Sequence, residues 1–478
     1  MKRIAVIGGG ISGLSAVFTL EKARQNGAPL EYVMYESSSR LGGVLVTERT
    51  DGCLLEAGPD SFLTEKPWAT DLCRELGLED QLIGSNDHER KTYILCKGRL
   101  VEIPDGLMFM VPTKIFPTLL SPLFSMRTKL RMAQEWFHPP HKADDDESVA
   151  SMVERHYGRE MVDHLADPLL SGVYGGNASE LSVRAVLPRF AAMEAKYGSL
   201  GRAMLAAHAK MPKSANASRP LFTSLKNGMQ QLVDALVSRL KPSALCMDRV
   251  VNSLGVKGED WTISSADGSD EFDGVILATP AHVSSRILES VYPQLAGELG
   301  GIGYTSSITT NLGYDQRVRS SLPPGFGFLV PRSEGKRMLA ATFVHNKFPH
   351  RTPPDRALLR CFIGGKENTH ILQSPDEEII RIVRHELQEI VGITSEPLFA
   401  RVYRWNSAMA QYGVGHLDRL DRIDDLLKEL PGLAFAGNGY RGIGVPDCIR
   451  SGNDAAAKIL TVLGLAREQA SPVAALRT

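Results

Sequence analysis

The 478-residue chain balances 54 Lys and Arg against 55 Asp and Glu, and a formal charge of −1 argues against nucleic acid as its main partner. Its composition, 43% hydrophobic and 23% charged, is that of an ordinary soluble protein, and its length points to two or three domains. Cys53, Cys73, Cys96, Cys246, Cys361 and Cys448 lack metal or disulfide-framework spacing, no leader-like segment precedes the first strand, and no apolar run approaches the roughly 20 residues of a spanning helix; a reducing cytoplasm is expected.

Residues 2–7 (KRIAVI) read as a buried strand, 12–25 as a helix with Leu14, Val17, Phe18 and Leu20 at helical spacing, and 30–36 (LEYVMYE) as a second strand, a compact βαβ unit. Gly8-x-Gly10-x-x-Gly13 falls between strand and helix. There glycines permit a tight turn, close approach of backbone to a pyrophosphate, and close helix packing, with Ile11 and Ser12 opening the helix toward the phosphates. A dinucleotide is the expected ligand. Glu36, followed by Ser37, stands where a carboxylate accepts both ribose hydroxyls of adenosine and disfavours a 2′-phosphate; a solvated strand-end Glu is the equal alternative.

Arg40-Leu41-Gly42-Gly43 comes next, then Glu56-Ala57-Gly58-Pro59-Asp60-Ser61-Phe62, whose Gly58 and Pro59 a turn alone would explain. Residues 107–137 carry Pro112, Pro117 and Pro122 among large apolar side chains, and 145–164 and 180–210 read as mostly helical. Short strands separated by turns fill 245–280, strand signals fill 304–363, an amphipathic helix spans 376–391, and another strand covers 398–404. The last segment, 433–464, is a strand, a glycine loop and a helix started by Pro446. Its first turn offers backbone N–H groups to developing negative charge. The tail after about residue 468 is expected to fray. His138 and His141 receive no role, no nucleophile or acid/base pair announces itself, and Asp144-Asp145-Asp146-Glu147 reads as a solvated, helix-starting run rather than a metal site.

Arg40–Gly43, at its spacing from the glycine turn, resembles the extended nucleotide motif of the flavin amine oxidase superfamily. The run Gly437–Gly452 (GNGYRGIGVPDCIRSG), taken with Leu170–Gly176 (LSGVYGG) and Gly58–Phe62 (GPDSF), resembles the porphyrinogen oxidases of haem biosynthesis across essentially the whole chain. The resemblance implies an α/β fold: a Rossmann-type FAD-binding domain assembled from 1–90, 211–285 and 416–478, interrupted by a mainly helical substrate and membrane-contact insertion at 91–210 and a mixed α/β substrate domain at 286–415.

It further implies FAD held by Gly8, Gly10, Ile11, Ser12, Gly13, Glu36, Ser37, Arg40, Leu41, Gly42 and Gly43, with Ala57, Gly58, Pro59, Asp60 and Ser61 along the isoalloxazine and Gly437, Asn438, Gly444 and Val445 at its other side. Val250, in the strand around 248–251, would contact adenine through its backbone, and Trp405 would lie near the flavin; either is equally readable as plain core. Thr92, Gly172 and Gly175 are the expected substrate contacts. Eukaryotic members carry Arg at the position of Thr92, so a propionate would need another cation, with Lys91, Lys97 or Arg99 as substitutes. The implied reaction is six-electron oxidation of protoporphyrinogen IX or coproporphyrinogen III with dioxygen, giving hydrogen peroxide. Implied partners are the inner face of the cell membrane through 107–124, a second copy as homodimer, and ferrochelatase. Competing readings are an amine oxidase, a carotenoid-type desaturase, and a flavin- or haem-binding protein without turnover.

Overall fold

A computed structural model describes residues 1–466 other than 109, 142–144, 211–219 and 259; Asp144 and the tail expected to fray lie outside the described residues. The chain divides into two compact units, one of 1–43, 233–300 and 422–478 and one of 44–232 and 301–421. Residues 44–90 thus group with the second unit rather than with the glycine turn, and 286–300 with the first.

The first unit is built on a parallel sheet of five strands in the order Leu245–Cys246, Leu30–Tyr35, Lys2–Ile7, Gly274–Leu277, Leu433–Phe435. Its central strand is apolar on both faces, as burial on both sides requires, with Ile4, Ala5 and Val6 fully buried. Ile7 lies opposite both Tyr35 and Leu277, so the carboxyl ends of these strands share one edge. Helices Ile11–Gln25 and Val445–Val462 pack against each other. A β-carbon on Gly452 would stand 2.1 Å from the Ser12 carbonyl oxygen, so only glycine allows this crossing. Beside the sheet, Val251–Lys257, Asp260–Ser265 and Gly268–Phe272 form an antiparallel meander.

The second unit carries a seven-stranded sheet ordered Phe399–Gln411, Gly303–Asp315, Arg356–Gly364, Met338–Phe343, Gly327–Leu329, Thr92–Cys96, Arg99–Glu102. One core cluster joins this sheet to helix Asp376–Val391, which buries Ile379, Val383 and Leu387 at helical spacing, starts on three acidic residues and ends on left-handed Gly392. A second cluster joins Ile94 to the helices between 149 and 210, among them a π-helical turn at Val162–Ala166 leading into helix Asp167–Tyr174.

A buried ionic bridge ties those helices. The His156 ring is 1% exposed; Nδ1 lies 3.2 Å from Glu135 and Nε2 2.8 Å from Glu194. Glu135 also accepts from the Ser199 hydroxyl at 2.9 Å and the Leu200 amide at 2.5 Å. Two carboxylates on one imidazole require both ring nitrogens to donate, which is the imidazolium form. The acidic run expected to be solvated is partly engaged: Asp146 accepts from the Gly415 amide at 2.9 Å and Glu147 pairs with Arg155 at 2.6 Å.

Candidate functional site

At the carboxyl edge of the parallel sheet the predicted glycine turn forms. Gly8 has a φ of +108°, and a β-carbon there would meet the Ala278 carbonyl at 2.7 Å. On Gly13 a β-carbon would stand 1.9 Å from the Gly8 carbonyl oxygen, whereas on Gly10 it would meet nothing within 4 Å among the described residues. Gly8 and Gly13 are therefore demanded by the protein itself, and Gly10 by whatever fills the open space. No side chain caps the helix at Gly10, which leaves the first-turn amides of Ile11, Ser12 and Gly13 for an anion.

Glu36 follows the second strand and knits the turn together: one carboxylate oxygen accepts from the Gly9 amide at 2.6 Å, the other from the Ser38 amide at 2.8 Å and its hydroxyl at 2.7 Å. It is thus not the merely solvated strand-end residue of the alternative reading. Ser37 is exposed beside it. The next loop runs along the glycine turn, with the Gly42 amide donating to the Gly9 carbonyl at 2.8 Å and Gly10 bridging Gly42. Leu41 packs where a β-carbon on Gly9 would go. Arg40 is exposed and donates to the Gly43 carbonyl at 2.5 Å, closing its own loop.

Val250 departs from the core reading, being 54% exposed and lying before the strand that starts at Val251. Its neighbours anchor it beside Glu36: the Arg249 amide donates to the Glu36 carbonyl at 2.8 Å and the Asp248 amide to the Ser38 carbonyl at 3.1 Å. On the same sheet edge, Gly437 has a φ of +133° and donates its amide to Ser451 at 3.1 Å. Gly444 caps helix Val445–Val462, but the buried Asp447 carboxylate accepts from the Gly444 amide at 3.3 Å. The Asp447 carboxylate thus engages the cap amide and offsets part of the helix dipole at the end where first-turn amides are expected to face negative charge. Asn438 and Val445 flank this loop.

In the second unit, Gly58 passes so close to Val44 that a β-carbon would lie 1.9 Å from the Val44 carbonyl oxygen. A close approach, beyond a simple turn, explains the glycine. Pro59, Asp60 and Ser61 are partly exposed while Ala57 is buried. Trp405 is half-buried, and its indole N–H donates to the Ala57 carbonyl at 2.9 Å, which brings these predicted residues together.

Sequence reasoning missed what lies behind this segment. Lys347 donates to Asp60 at 2.9 Å, Arg351 to the Asp60 carbonyl at 3.0 Å and toward Glu56 at 3.2 Å, and Arg360 to the Gly58 carbonyl. Burial pushes the Glu56 carboxyl up to about 7 against the pull of Arg351. Burial acts in the same direction on Asp60, but Lys347, Arg360 and Arg351 outweigh it and hold that carboxyl well below the ordinary range. The signal in the sequence was Arg360, a charge in the middle of the otherwise apolar strand Arg356–Gly364.

The predicted substrate residues fall on helix Asp167–Tyr174 with its cap and on strand Thr92–Cys96. Gly175 ends helix Asp167–Tyr174 in the left-handed region at φ +62°, and its β-carbon would meet Thr305 at 3.0 Å and Met409 at 3.1 Å. Gly172, exposed on that helix, faces Leu329. Thr92 is half-buried opposite Gly327. Of the substitute cations, Lys91 is paired with Glu102 at 3.1 Å, and the alternation of the strand turns it to the face opposite Thr92. Lys97 and Arg99 lie at the far hairpin turn of Thr92–Cys96, so none of the three stands at Thr92. A cavity of about 230 Å³ nearby is lined by Glu180, Tyr304, Thr305, Gln411, His416 and Arg419 among others. Among the described residues no group of three His, Cys, Asp or Glu could hold a metal, and no helix is long and apolar enough to cross a membrane.

Residues 11–460 match the family described as flavin containing amine oxidoreductase. The chain is 33% identical to the coproporphyrinogen III oxidase of Bacillus subtilis over 97% of its length and 98% of that protein. It is 28% identical to protoporphyrinogen oxidase 2 of Arabidopsis thaliana, over 97% and 94% respectively. Among solved structures, one from Exiguobacterium sp. 255-15, provisionally assigned as a protoporphyrinogen oxidase, superposes with a TM-score of 0.86 at 30% identity, covering 97% of this chain and 99% of that one. Cyclohexylamine oxidase of Brevibacterium oxydans shares the fold at a TM-score of 0.68 and 17% identity, over 97% and 99% of the two chains. The open space at Gly10 with the uncapped first-turn amides as donors, and the Glu36 carboxylate as acceptor, fit a flavin nucleotide.

Proposed function

This chain belongs to the flavin containing amine oxidoreductase family, and from that premise we propose that it is an FAD-dependent oxidase converting a porphyrinogen to the porphyrin in haem biosynthesis. The observation that carries the substrate class is end-to-end similarity to coproporphyrinogen III oxidases, at 33% identity over 97% of the chain. Coproporphyrinogen III is preferred over protoporphyrinogen IX because bacterial coproporphyrinogen III oxidases reach 33% where the plant protoporphyrinogen oxidases stand at 28–29%, although the Staphylococcus aureus enzyme, at 29%, overlaps them. FAD, rather than a mononucleotide, is the reading that the position of Glu36 supports, a carboxylate after the second strand of the βαβ unit where an adenosine ribose would lie.

In this reading Gly8, Gly10 and Gly13 and the amides after them hold the pyrophosphate, Glu36 the ribose, and the Val250 backbone the adenine. Ala57–Ser61 and Trp405 would line the isoalloxazine, and Gly437, Asn438, Gly444 and Val445 are further flavin contacts that the family resemblance implies. When bound, the flavin supplies two-electron oxidation. The chain's own residues position, exclude water and orient; none is assigned as acid or base. Gly172, exposed on helix Asp167–Tyr174, would leave that helix bare toward a flat substrate, and Gly175 would end it. The balanced reaction is one porphyrinogen and three dioxygen giving one porphyrin and three hydrogen peroxide. Simultaneous oxygen-electrode and porphyrin-fluorescence traces should give that ratio of three; a ratio near zero would remove dioxygen as acceptor.

Partner and location assignments go with this reading: a homodimer, product hand-over to ferrochelatase, and a cytoplasmic protein resting on the inner face of the membrane. Phe116, Leu120 and Phe137 are 78%, 82% and 81% exposed, and Met126 and Leu130 more than half exposed, on neighbouring stretches of chain. So many large apolar groups in water are costly unless something covers them. Phe116→Glu with Leu120→Glu should abolish cosedimentation with anionic vesicles while leaving flavin content unchanged. Equal sedimentation of variant and parent would remove the membrane contact.

A further inference from the structure

Five ionisable side chains of the second unit meet behind residues 57–61, and all are largely withdrawn from water. Glu56 is 3% exposed, Arg351 1%, Arg360 6% and Lys347 8%, with the Asp60 side chain at 13%. Three cations face two carboxylates, a formal surplus of one positive charge. Nε of Arg351 and Nε of Arg360 are buried with no acceptor among the described residues. Aromatic faces take up part of the load, Lys347 lying 4.6 Å from the Phe222 ring centre, Arg351 4.5 Å from Phe348 and Arg360 4.7 Å from Phe362. An ordinary structural ion pair would be neutral, because burying an uncompensated charge costs several kcal/mol. A fold that keeps such a surplus is holding a positive potential, and the groups that carry it touch the backbone of Gly58 and Asp60 directly.

We infer that Lys347, Arg351 and Arg360, offset in part by Glu56 and Asp60, are a buried electrostatic device that raises the reduction potential of the flavin by stabilising the negative charge it gains on reduction. The inference rests on the reading that residues 57–61 lie along the isoalloxazine. A charge held in a low-dielectric interior acts over several ångströms with little screening, so the cations need not touch the cofactor to act. These are positioning residues, and their effect is on an equilibrium rather than on a bond being broken.

The test is the two-electron midpoint potential of the flavin-loaded protein, by dye-coupled anaerobic titration, in the parent chain, K347M, D60N and the double variant. K347M removes one positive charge and should shift the equilibrium about tenfold toward oxidised flavin, about 30 mV for two electrons. D60N removes one negative charge and should shift it the opposite way by a similar factor. The double variant restores the net charge and should return to within about twofold of the parent, a pattern that a loss of packing would not produce. If K347M does not fold, D60N against the parent decides the question alone. Equal potentials in loaded proteins, or a double variant that stays with K347M, would overturn the inference while leaving the flavin reading intact. A parent chain that binds no flavin would instead overturn that reading.

Discussion

Gly13→Val is expected to yield folded but colourless protein, with flavin occupancy reduced at least about tenfold, a loss of roughly 1.4 kcal/mol or more in binding. A β-carbon at residue 13 would stand 1.9 Å from the Gly8 carbonyl oxygen, so the helix Ile11–Gln25 must move off the strand and carry its first-turn amides with it. Gly10→Ala is the informative companion. Its β-carbon meets no protein atom within 4 Å, so the thermal midpoint should be unchanged, yet it fills the space assigned to the pyrophosphate and should also weaken FAD binding. The flavin-to-protein absorbance ratio after gel filtration measures both. Full flavin in Gly13→Val would displace the nucleotide from this turn.

His156→Leu should lower unfolding stability by about 3–5 kcal/mol, because it leaves Glu135 and Glu194 buried and without their common partner. Burial, the largest influence, draws the His156 pKa down, but hydrogen bonds to Glu135 and Glu194 more than reverse it, and it ends above its ordinary 6.5. For both carboxyls burial again opposes the net shift, and each lies below its ordinary 4.5 chiefly through His156. A raised histidine stabilises fully below 6.5 and loses its contribution as pH rises through its folded pKa. A lowered carboxyl stabilises above 4.5 and loses its contribution as pH falls through its folded pKa. The gap between parent and variant in urea unfolding should therefore be widest between 4.5 and 6.5 and narrow on either side. A gap under about 1 kcal/mol at pH 6 would show the bridge to be incidental.

The parts of the site legible in the sequence are those whose chemistry is local. Strand, glycine turn and helix follow one another within 25 residues, so each glycine's backbone role could be read from its neighbours, and helix 376–391 announced both its face and its ends. What depends on residues far apart was not legible. Glu135, His156 and Glu194 are separated by 21 and 38 residues, and an isolated histidine has no signature that distinguishes a buried bridge from a surface residue. The cations behind Gly58 come from residues 347–360, nearly 300 positions later, where only the mid-strand Arg360 broke the apolar pattern. The substitute cations for Thr92 failed for a simpler reason: strand alternation and a hairpin turn place them on the wrong face or at the wrong end. Val250 was read as a strand residue, but its strand begins one residue later and leaves it exposed beside Glu36.

Anaerobic mixing separates porphyrinogen oxidation from amine oxidation. Flavin-loaded protein should lose its absorbance band near the visible flavin maximum when mixed with coproporphyrinogen III, more slowly with protoporphyrinogen IX, and not at all with an amine panel. Porphyrin fluorescence should then grow on admission of air. Bleaching by amines with none by either porphyrinogen would rule out porphyrinogen oxidation and return the chain to the amine-oxidising side of its family.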